Sequence, residues 1–316
     1  MDIQDILRGE QNPQVEKKDW MTEKEFVLVN NLEDGEDVLK QAIQECIASG
    51  VYALDLETTG LDNRVFNGKT EATIVGACLS PDGIKGYYIP VLHKKHGSAT
   101  EMSECNISFH VFRREMKRLV ESDAIAVFHN GKFDQEFLQF NGGEPLGEWD
   151  KDKKWDDTQI LAYLNNPRAK RTGLKFLAKT ELGMEMIEIK ELFFEVYGKD
   201  YKGDIDFSLL DPLVCEAVVW YGASDAICTF LLRERFLPEI QKPKKDGGQG
   251  AIYRIEKSCI AATRWMERNR IYIDADKVAL LIRLGQKETF EAMKEVYEMA
   301  SGMLGRCITP LHFVMA

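Results

Sequence analysis

The N-terminal half of the chain alternates short apolar runs with segments of helical spacing. Apolar runs of strand length predict strands, and apolar positions three and four residues apart predict helices. Pro81-Asp82-Gly83 separates two of the runs and is a typical turn signal, so we expect a hairpin there. The predicted strands cover 26–29, 51–56, 72–79, 84–91 and 124–128, and the predicted helices cover 36–47, 107–120 and 133–140.

Beyond residue 140 the pattern is mainly helical, and one helix is expected from Pro212 to Leu232. Strands come first, an alternation of strands and helices follows, and helices come last. This order is typical of an α/β fold, in which helices cover a mixed sheet. We therefore predict a mixed sheet flanked by helices.

A break in the helical pattern separates the last part of the chain. The stretch Lys242–Gly250 combines Pro, Lys and Gly, a composition that predicts a linker. After it, apolar residues from Ile252 to Met266 share one helix face, and Asp274 is placed to cap a following helix that runs toward Met299. The predicted parts are a flexible N-terminal segment (1–25), an α/β domain (26–241), a linker (242–250) and a C-terminal helical appendage (251–316).

Composition indicates a globular protein of a reducing compartment. The chain has 316 residues, of which 44% are hydrophobic, and this content is sufficient for a packed core. Its seven cysteines are scattered and never form a CxxC pair, so we expect free thiols. No apolar run reaches the roughly 18 to 20 residues of a membrane span, and the N-terminus lacks the basic region, apolar stretch and small-residue cleavage site of a signal peptide. We expect a cytoplasmic protein without a membrane partner.

The net charge of −11, taken alone, disfavours a nucleic-acid partner, because phosphate backbones favour basic surfaces. The distribution of charge changes this picture. Between Pro167 and Lys179 the chain carries five basic residues and no acidic residue: Arg168, Lys170, Arg171, Lys175 and Lys179. This segment is either a contact surface for a phosphate chain or a solvated helix face.

Asp55 and Glu57 stand at the end of the predicted strand 51–56. Residues i and i+2 of a strand point to the same face, so both carboxylates should converge on one point. Converging carboxylates repel unless a cation neutralises them, and oxygen ligands favour hard ions such as Mg²⁺ or Mn²⁺. A strand that simply runs into a polar turn gives the same pattern.

Asn130 and Asp134 follow the predicted strand 124–128 directly. Asn130 is placed to cap the next helix, and Asp134 lies one turn further along, toward the sheet edge. Capping alone would also explain Asn130.

Tyr221 and Asp225 lie four residues apart in the predicted helix 212–232, so their side chains share one helix face. Such a pair is common on surface helices. Combined with the two preceding segments it completes the ordered set DxE, N-x3-D and Y-x3-D. This set predicts four carboxylates around two divalent ions, a site that suits in-line phosphoryl displacement by water.

These three segments resemble the exonuclease motifs of the DEDD superfamily, tyrosine subtype. Their spacing is similar to that of the proofreading domain of family A DNA polymerases, and the resemblance covers about residues 25 to 240. It implies a ribonuclease H-like fold and a metal-dependent 3'→5' exonuclease that removes nucleotides from a single-stranded DNA 3' end.

The resemblance also implies a role for each acidic residue. Asp55, Glu57 and Asp225 would hold the first of two Mg²⁺ or Mn²⁺ ions, and Asp55 and Asp134 would anchor the second, partly through water. Tyr221 would position the nucleophilic water.

Three further residues match substrate contacts of the family. Leu61 matches the residue that wedges against the terminal base, and Thr58 and Asn130 match positions near the terminal nucleotide. Two other family-like segments, Asp157-Thr158 and Gly86–Pro90, are interpreted as packing.

The stretch from Ile255 to Asp274 resembles the segment that opens the polymerase domain of family A enzymes. Nothing before Ala316 resembles the palm carboxylates or the fingers helix of those enzymes, so we expect no DNA synthesis by this chain. Two interpretations fit: the exonuclease subunit of a polymerase divided between genes, with a separate polymerase polypeptide as partner, or a piece of a single-gene enzyme.

Two alternatives remain open at this point. A ribonuclease D-like enzyme would use the same chemistry to trim RNA 3' ends, although the chain offers no obvious accessory RNA-binding domain. A non-catalytic module would retain the fold to bind nucleic acid or a polymerase, although it would be free to lose at least one carboxylate.

Overall fold

A mixed sheet forms the centre of the protein in a computed structural model, which describes residues 15–304 except 33, 63–64, 67–68, 71, 141–144, 148, 150–153, 199–200, 204, 270 and 272. Six strands follow the order β1-β6-β5-β2-β7-β8, while β3 and β4 form a separate hairpin. The strands are β1 (Glu25–Leu28), β2 (Val51–Thr58), β3 (Val65–Phe66), β4 (Lys69–Thr70), β5 (Ile74–Ser80), β6 (Lys85–Pro90), β7 (Ile125–Phe128) and β8 (Trp155–Asp157).

Helices of the same unit cover both faces of the sheet. The helices of the chain are α1 (Gly35–Ser49), α2 (Phe109–Glu121), α3 (Lys132–Gln139), α4 (Thr158–Asn165), α5 (Leu174–Leu177), α6 (Ile189–Tyr197), α7 (Ala217–Gln241), α8 (Gly250–Asn269) and, in a second unit, α9 (Ala275–Leu304). Strands β5 and β6 form the predicted antiparallel hairpin, and β2 pairs antiparallel with β5 and parallel with β7. The predicted α/β fold, a mixed sheet flanked by helices, is confirmed.

Strand β2 lies inside the sheet and is covered on both faces. Leu54 and Leu56 belong to the core under α1 and α2, and Ala53 belongs to the core under α7. A strand that is buried on both faces has an almost continuous apolar sequence, which is the pattern Val51–Leu56 shows up to its acidic end. The apolar run therefore places β2 at the centre of the sheet. Asp55 and Glu57 lie at the end of the strand, where it leaves the core.

Strand β8 was not predicted, because only Trp155 of its three residues is apolar. It pairs parallel with β7 and ends the sheet. Its acidic residues are satisfied by long-range partners, since the guanidinium of Arg233 lies 2.7 Å from the carboxylate of Asp156. Helix α7 also extends beyond the predicted end at Leu232, because Phe236 and Ile240 pack with α4 in an apolar cluster.

The N-terminal segment predicted to be flexible is partly ordered. Residues 1–14 lie outside the described residues, but Asp19–Glu23 forms a 3-10 turn in which Met21 is fully buried. The indole nitrogen of Trp20 donates a hydrogen bond to the carbonyl of Glu185 at 2.8 Å. Two large apolar side chains thus dock a stretch whose composition is mostly polar.

The chain divides into two compact units further along than the predicted linker. The first unit ends at Arg268 and the second begins at Asn269. Residues 242–250 lie inside the first unit, where the backbone N–H of Gln249 bonds the carbonyl of Ile240 at 2.9 Å and its side-chain amide bonds the carbonyl of Leu164 at 2.8 Å. Hydrogen bonds to α7 and α4 therefore hold a stretch that composition alone marks as a linker.

Helix α8 packs on the sheet edge through a face other than its predicted apolar face. Ile255 and Met266 are exposed, whereas Tyr253 and Arg264 are buried. The hydroxyl of Tyr253 accepts the backbone N–H of Asp157 and donates to the carboxylate of Asp156, each at 2.9 Å. Polar anchoring to β8 therefore decides which face of the helix is covered.

The second unit is described by itself and contains α9. The carboxylate of Asp274 accepts the backbone N–H of Lys277 at 3.0 Å, so the predicted cap is confirmed. Throughout the part of the chain that the structure describes, no helix combines the length and apolar character needed to cross a bilayer.

The Tyr253 anchor can be tested by removing one hydroxyl. Tyr253→Phe leaves the buried N–H of Asp157 without its acceptor, so the free energy of unfolding should fall by about 1–3 kcal/mol. Urea denaturation measures the change. Tyr163→Phe is the matched control because Tyr163 is 50% exposed on α4. Equal stability of the two variants would contradict the anchoring role of Tyr253.

Candidate active site

Strand β2 brings Asp55 and Glu57 to one face of the sheet. Asp55 lies opposite Cys78 on β5, and Glu57 lies opposite Gly76. One oxygen of each carboxylate and the Sγ atom of Cys78 all lie within 4.8 Å of one another. The strand ladder shifts register directly after Glu57, so the strand bends away once both side chains are in place.

Asp134 reaches the same place from the first turn of α3. Its side chain is 2% exposed, and one oxygen accepts the backbone N–H of Leu56 at 3.0 Å. Leu56 separates the two carboxylate-bearing residues of β2. This hydrogen bond therefore fixes Asp134 directly beside Asp55 and Glu57.

Helix α7 supplies Tyr221 and Asp225, which are both largely buried. The close approach of α7 to the sheet depends on Gly222, because a Cβ atom there would lie 2.8 Å from the Sγ atom of Cys78 and 2.7 Å from the Tyr88 ring. Because Gly222 has no side chain, α7 lies close to the sheet, and its neighbouring residue Tyr221 is brought toward β2.

The four carboxylates interact electrostatically. Loss of hydration raises the pKa of Asp55 well above its usual value, and the neighbouring charges of Asp134, Asp225 and Glu57 raise it further. Burial also raises the pKa of Asp134 to about 8 and that of Asp225 to about 7. The structure thus gathers the four predicted acidic residues into one cluster that resists full ionisation.

This donor set fits divalent cations. One carboxylate oxygen of Asp225 is buried and has no hydrogen-bond partner among the described residues. Several oxygen donors of high charge density at one point favour hard ions, which would remove the repulsion. Cys78 adds a thiol to the margin of the cluster, and burial together with the carboxylates raises its pKa well above the usual value.

The predicted substrate residues lie around this cluster in different ways. The hydroxyl of Thr58 donates to the carbonyl of Gly60 at 2.7 Å, which makes it part of the turn after β2. Leu61 is 88% exposed. Leu61, Asn130 and Phe133 border a depression of about 440 Å³. An exposed leucine beside such a depression is available for contact with a ligand.

The predicted cap at Asn130 is wrong. Its φ angle is 63°, a left-handed conformation, and Gly131 occupies the N-cap position of α3 without a side-chain cap. The carboxylate of Asp157 instead accepts the N–H of Gly131 at 2.7 Å and also bonds the N–H of Asn130. Asparagine adopts the left-handed conformation more readily than most residues. In this conformation the side chain of Asn130 does not cap α3.

Three residues near the cluster were not identified as site residues from the sequence. Lys175 lay in the basic segment, but its spacing gave no sign that its ammonium lies 4.5 Å from the centre of the Tyr221 ring. Cys78 lies opposite Asp55 in the antiparallel pairing of β5 with β2, a register that the predicted β5–β6 hairpin does not define. Asp157 was interpreted as packing, and the structure shows that it holds the Asn130-Gly131 loop.

Known proteins share sequence with this chain. Residues 32–241 match the model of the 3'-5' exonuclease family. The DNA polymerase of Escherichia phage T5 is 26% identical over 219 residues, which are 69% of this chain and 23% of that protein. DNA polymerase I of Borreliella burgdorferi is 26% identical over 238 residues, which are 75% of this chain and 22% of that protein. The chain spans less than a quarter of the length of these curated relatives.

Solved structures also align with the chain. Trypanosoma brucei RNase D in complex with GMP aligns with a TM-score of 0.49 and 14% identity, covering 77% of this chain and 65% of that one. Brucella melitensis NrnC with bound Mg²⁺ aligns with a TM-score of 0.43 and 17% identity, covering 72% and 90%. The family match extends over more than half of the sequence, and the chain therefore belongs to the 3'-5' exonuclease family whose domain is also found in DNA polymerase I.

Proposed function

We propose that this exonuclease removes nucleotides from the 3' end of single-stranded DNA, as a proofreading enzyme does. The observation that supports this best is the convergence of Asp55, Glu57, Asp134 and Asp225 from three separate segments. Domains of this family act on nucleic-acid 3' ends and depend on divalent metal ions. Two curated relatives are named as DNA polymerases, which favours DNA over RNA as the substrate.

The proposed cofactors are two Mg²⁺ or Mn²⁺ ions. Asp55, Glu57 and Asp225 would hold one ion, and Asp55 and Asp134 would hold the other, with water completing the ligands. When bound, such ions lower the pKa of water and stabilise the attacking and leaving oxygens of an in-line displacement. The buried Asp225 oxygen that lacks a hydrogen-bond partner supports this assignment.

Tyr221 is proposed to orient the attacking water. Burial and the nearby charges of Glu57 and Asp225 raise the pKa of its phenol well above the usual value. The hydroxyl therefore keeps its proton at neutral pH and acts as a neutral hydrogen-bond partner rather than as a base. Its ring packs against Phe207 with centroids 5.4 Å apart, which limits movement of the hydroxyl.

The substrate end is proposed to occupy the depression bordered by Leu61 and Asn130. Leu61 would pack against the terminal base, while Thr58 and Asn130 would lie near the terminal nucleotide. The depression is also lined by Lys132 and Arg268, which form ion pairs with Glu267 and Glu136 of the same lining. An exposed apolar side chain suits a base without base-specific contacts.

A ribonuclease D-like activity on RNA is the second candidate. It would use the same carboxylates and the same attack of water, so the active-site geometry does not discriminate between the two sugars. The names of the curated relatives favour DNA, and the assay below compares both substrates directly.

We also infer that the exonuclease works beside a polymerase polypeptide. Helix α8 exposes several large apolar side chains, among them Ile255 at 63%, Trp265 at 67% and Met266 at 65%. Exposed apolar patches of this kind are typical of protein interfaces. The stretch from Ile255 to Asp274 also resembles the start of a polymerase domain, which favours a polymerase as the partner.

The catalytic proposal is tested with 5'-labelled single strands of DNA and RNA of one sequence. Wild-type protein with Mg²⁺ should give a ladder of shortened DNA, and Asp55→Asn should lower the rate by about 10³-fold or more because a metal ligand is lost. Asp123→Asn is the control, since that carboxylate is exposed before β7. Full activity of Asp55→Asn would remove the cluster from the mechanism, and a ladder from RNA alone would overturn the DNA assignment.

Removal of divalent ions should make stability depend on pH. The folded-state pKa values of Asp134 and Asp225, about 8 and about 7, exceed the ordinary value of 3.8. Between these values the folded state retains protons that the unfolded chain has lost, so the free energy of unfolding falls as pH rises. In EDTA, the urea midpoint should therefore be higher at about pH 6 than at about pH 8.

Two variants and one addition check this effect. Asp134→Asn should reduce the dependence on pH, because the amide cannot ionise and still accepts the N–H of Leu56. Asp123→Asn should leave it unchanged, and Mg²⁺ should restore stability at the higher pH. A wild-type midpoint that does not move between these pH values would contradict the raised pKa values.

The polymerase interaction is tested by mixing the chain with the family A polymerase from the same source and measuring molar mass by light scattering. A stable complex is expected. Ile255→Glu should weaken it by introducing a charge into the exposed apolar surface, while exonuclease activity on a single strand stays at the wild-type rate. Separate elution of the two polypeptides at micromolar concentrations would contradict the inference.

A further inference from the structure

Lys175 places a positive charge beside Tyr221, next to the carboxylate cluster. It lies in the short helix α5, and its Nζ atom is 4.5 Å from the centre of the Tyr221 ring. An ammonium at this distance over an aromatic face is attracted by the electron density of the ring. The contact joins Lys175 to the residue that is proposed to orient the attacking water.

The ammonium is held in position from its other side. Nζ donates to the carbonyl of Ile187 at 2.8 Å and to the carboxylate of Glu188 at 3.2 Å. A lysine has three N–H donors, and these two hydrogen bonds fix the position of its ammonium group. The side chain is 27% exposed, so packing also restricts it. Lys175 is therefore a fixed charge rather than a mobile surface lysine.

The same charge acts on the carboxylates. Lys175 lowers the pKa of Asp225 against the effect of burial, and it also acts to lower the pKa values of Glu57 and Asp55. A cation this close to the cluster favours the ionised carboxylates, but it repels divalent ions that would bind there. Replacing Lys175 should therefore alter the Mg²⁺ dependence of the reaction, which replacing a purely structural residue would leave unchanged.

We propose that Lys175 is a positioning residue for the exonuclease reaction, holding the Tyr221 ring by a cation–π contact so that its hydroxyl points toward the carboxylate cluster. The inference rests on the proposed function, since it assigns Lys175 a role through Tyr221. The anchoring by Ile187 and Glu188 makes the position of the charge independent of the substrate.

Another lysine of the same segment provides a matched control. The side chain of Lys179 is 66% exposed, and its Nζ atom forms an ion pair with Glu185 at 2.6 Å. Lys179→Met removes the same charge from the same stretch without touching Tyr221. Any general effect of net charge on DNA binding should therefore appear equally in both variants.

The test measures kcat for single-stranded DNA over a range of Mg²⁺ concentrations. Lys175→Met should lower kcat by about 10- to 100-fold, because a small displacement of a catalytic group usually slows a reaction by this factor. The Mg²⁺ concentration for half-maximal rate should change, because removing this charge alters both the ionisation of the carboxylates and the repulsion of the ion. Lys175→Arg should retain most of the activity, since a guanidinium also stacks on aromatic faces, and Lys179→Met should match the wild type.

A double-mutant cycle then asks whether Lys175 acts through Tyr221. In a Tyr221→Phe background the hydroxyl is absent, so Lys175→Met should lower kcat further by less than about threefold. A full additional loss in that background would overturn the proposal, as would equal slowing in Lys175→Arg and Lys175→Met or an unchanged Mg²⁺ requirement.

Folding and function are separated by two further measurements. Urea denaturation checks that Lys175→Met folds, and Lys175→Gln replaces it in the same assays if it does not. Wild-type activity of the folded variant, with Asp55→Asn inactive, would reject the role of Lys175 alone. Wild-type activity of Asp55→Asn would instead reject the proposed function.

Discussion

The repulsion among four carboxylates is the constraint on which the rest of this structure depends. Asp55, Glu57, Asp134 and Asp225 come from a strand and two helices, and each raises the pKa of at least one other member or of the nearby Cys78 thiol. Such a cluster destabilises the folded state unless protons or cations neutralise it. The surrounding fold therefore has to supply enough packing to hold these groups together before any ligand binds.

Specific contacts around the cluster perform this task. Leu56 donates its backbone N–H to Asp134, which ties α3 to the central strand. Gly222 allows α7 to approach the sheet until a Cβ atom would collide with Cys78 and Tyr88. Asp157 holds the Asn130-Gly131 loop through backbone N–H groups. Each contact acts on a different element, so the geometry of the site is distributed over most of the sheet.

Helix α8 connects this framework to the part of the chain beyond the family match. Its Tyr253 hydroxyl bonds the N–H of Asp157 and the carboxylate of Asp156, and Asp156 also binds Arg233 of α7. The carboxylate of Asp157 in turn bonds the loop beside the candidate substrate site. One buried hydrogen-bond network therefore joins α8 to this loop.

The sequence by itself determined strands β1, β2 and β5 to β7 with the helices between them, the hairpin at Pro81–Gly83 and the three acidic segments. Local periodicity and turn chemistry are sufficient for these elements because they depend on residues that are close in sequence. The sequence could not determine contacts that depend on how elements pack. The docked face of α8, the left-handed Asn130 and the place of Lys175 over Tyr221 were decided by tertiary structure alone. Long-range hydrogen bonds and ring contacts join residues whose separation in sequence carries no periodic signal, so only the folded chain defines them.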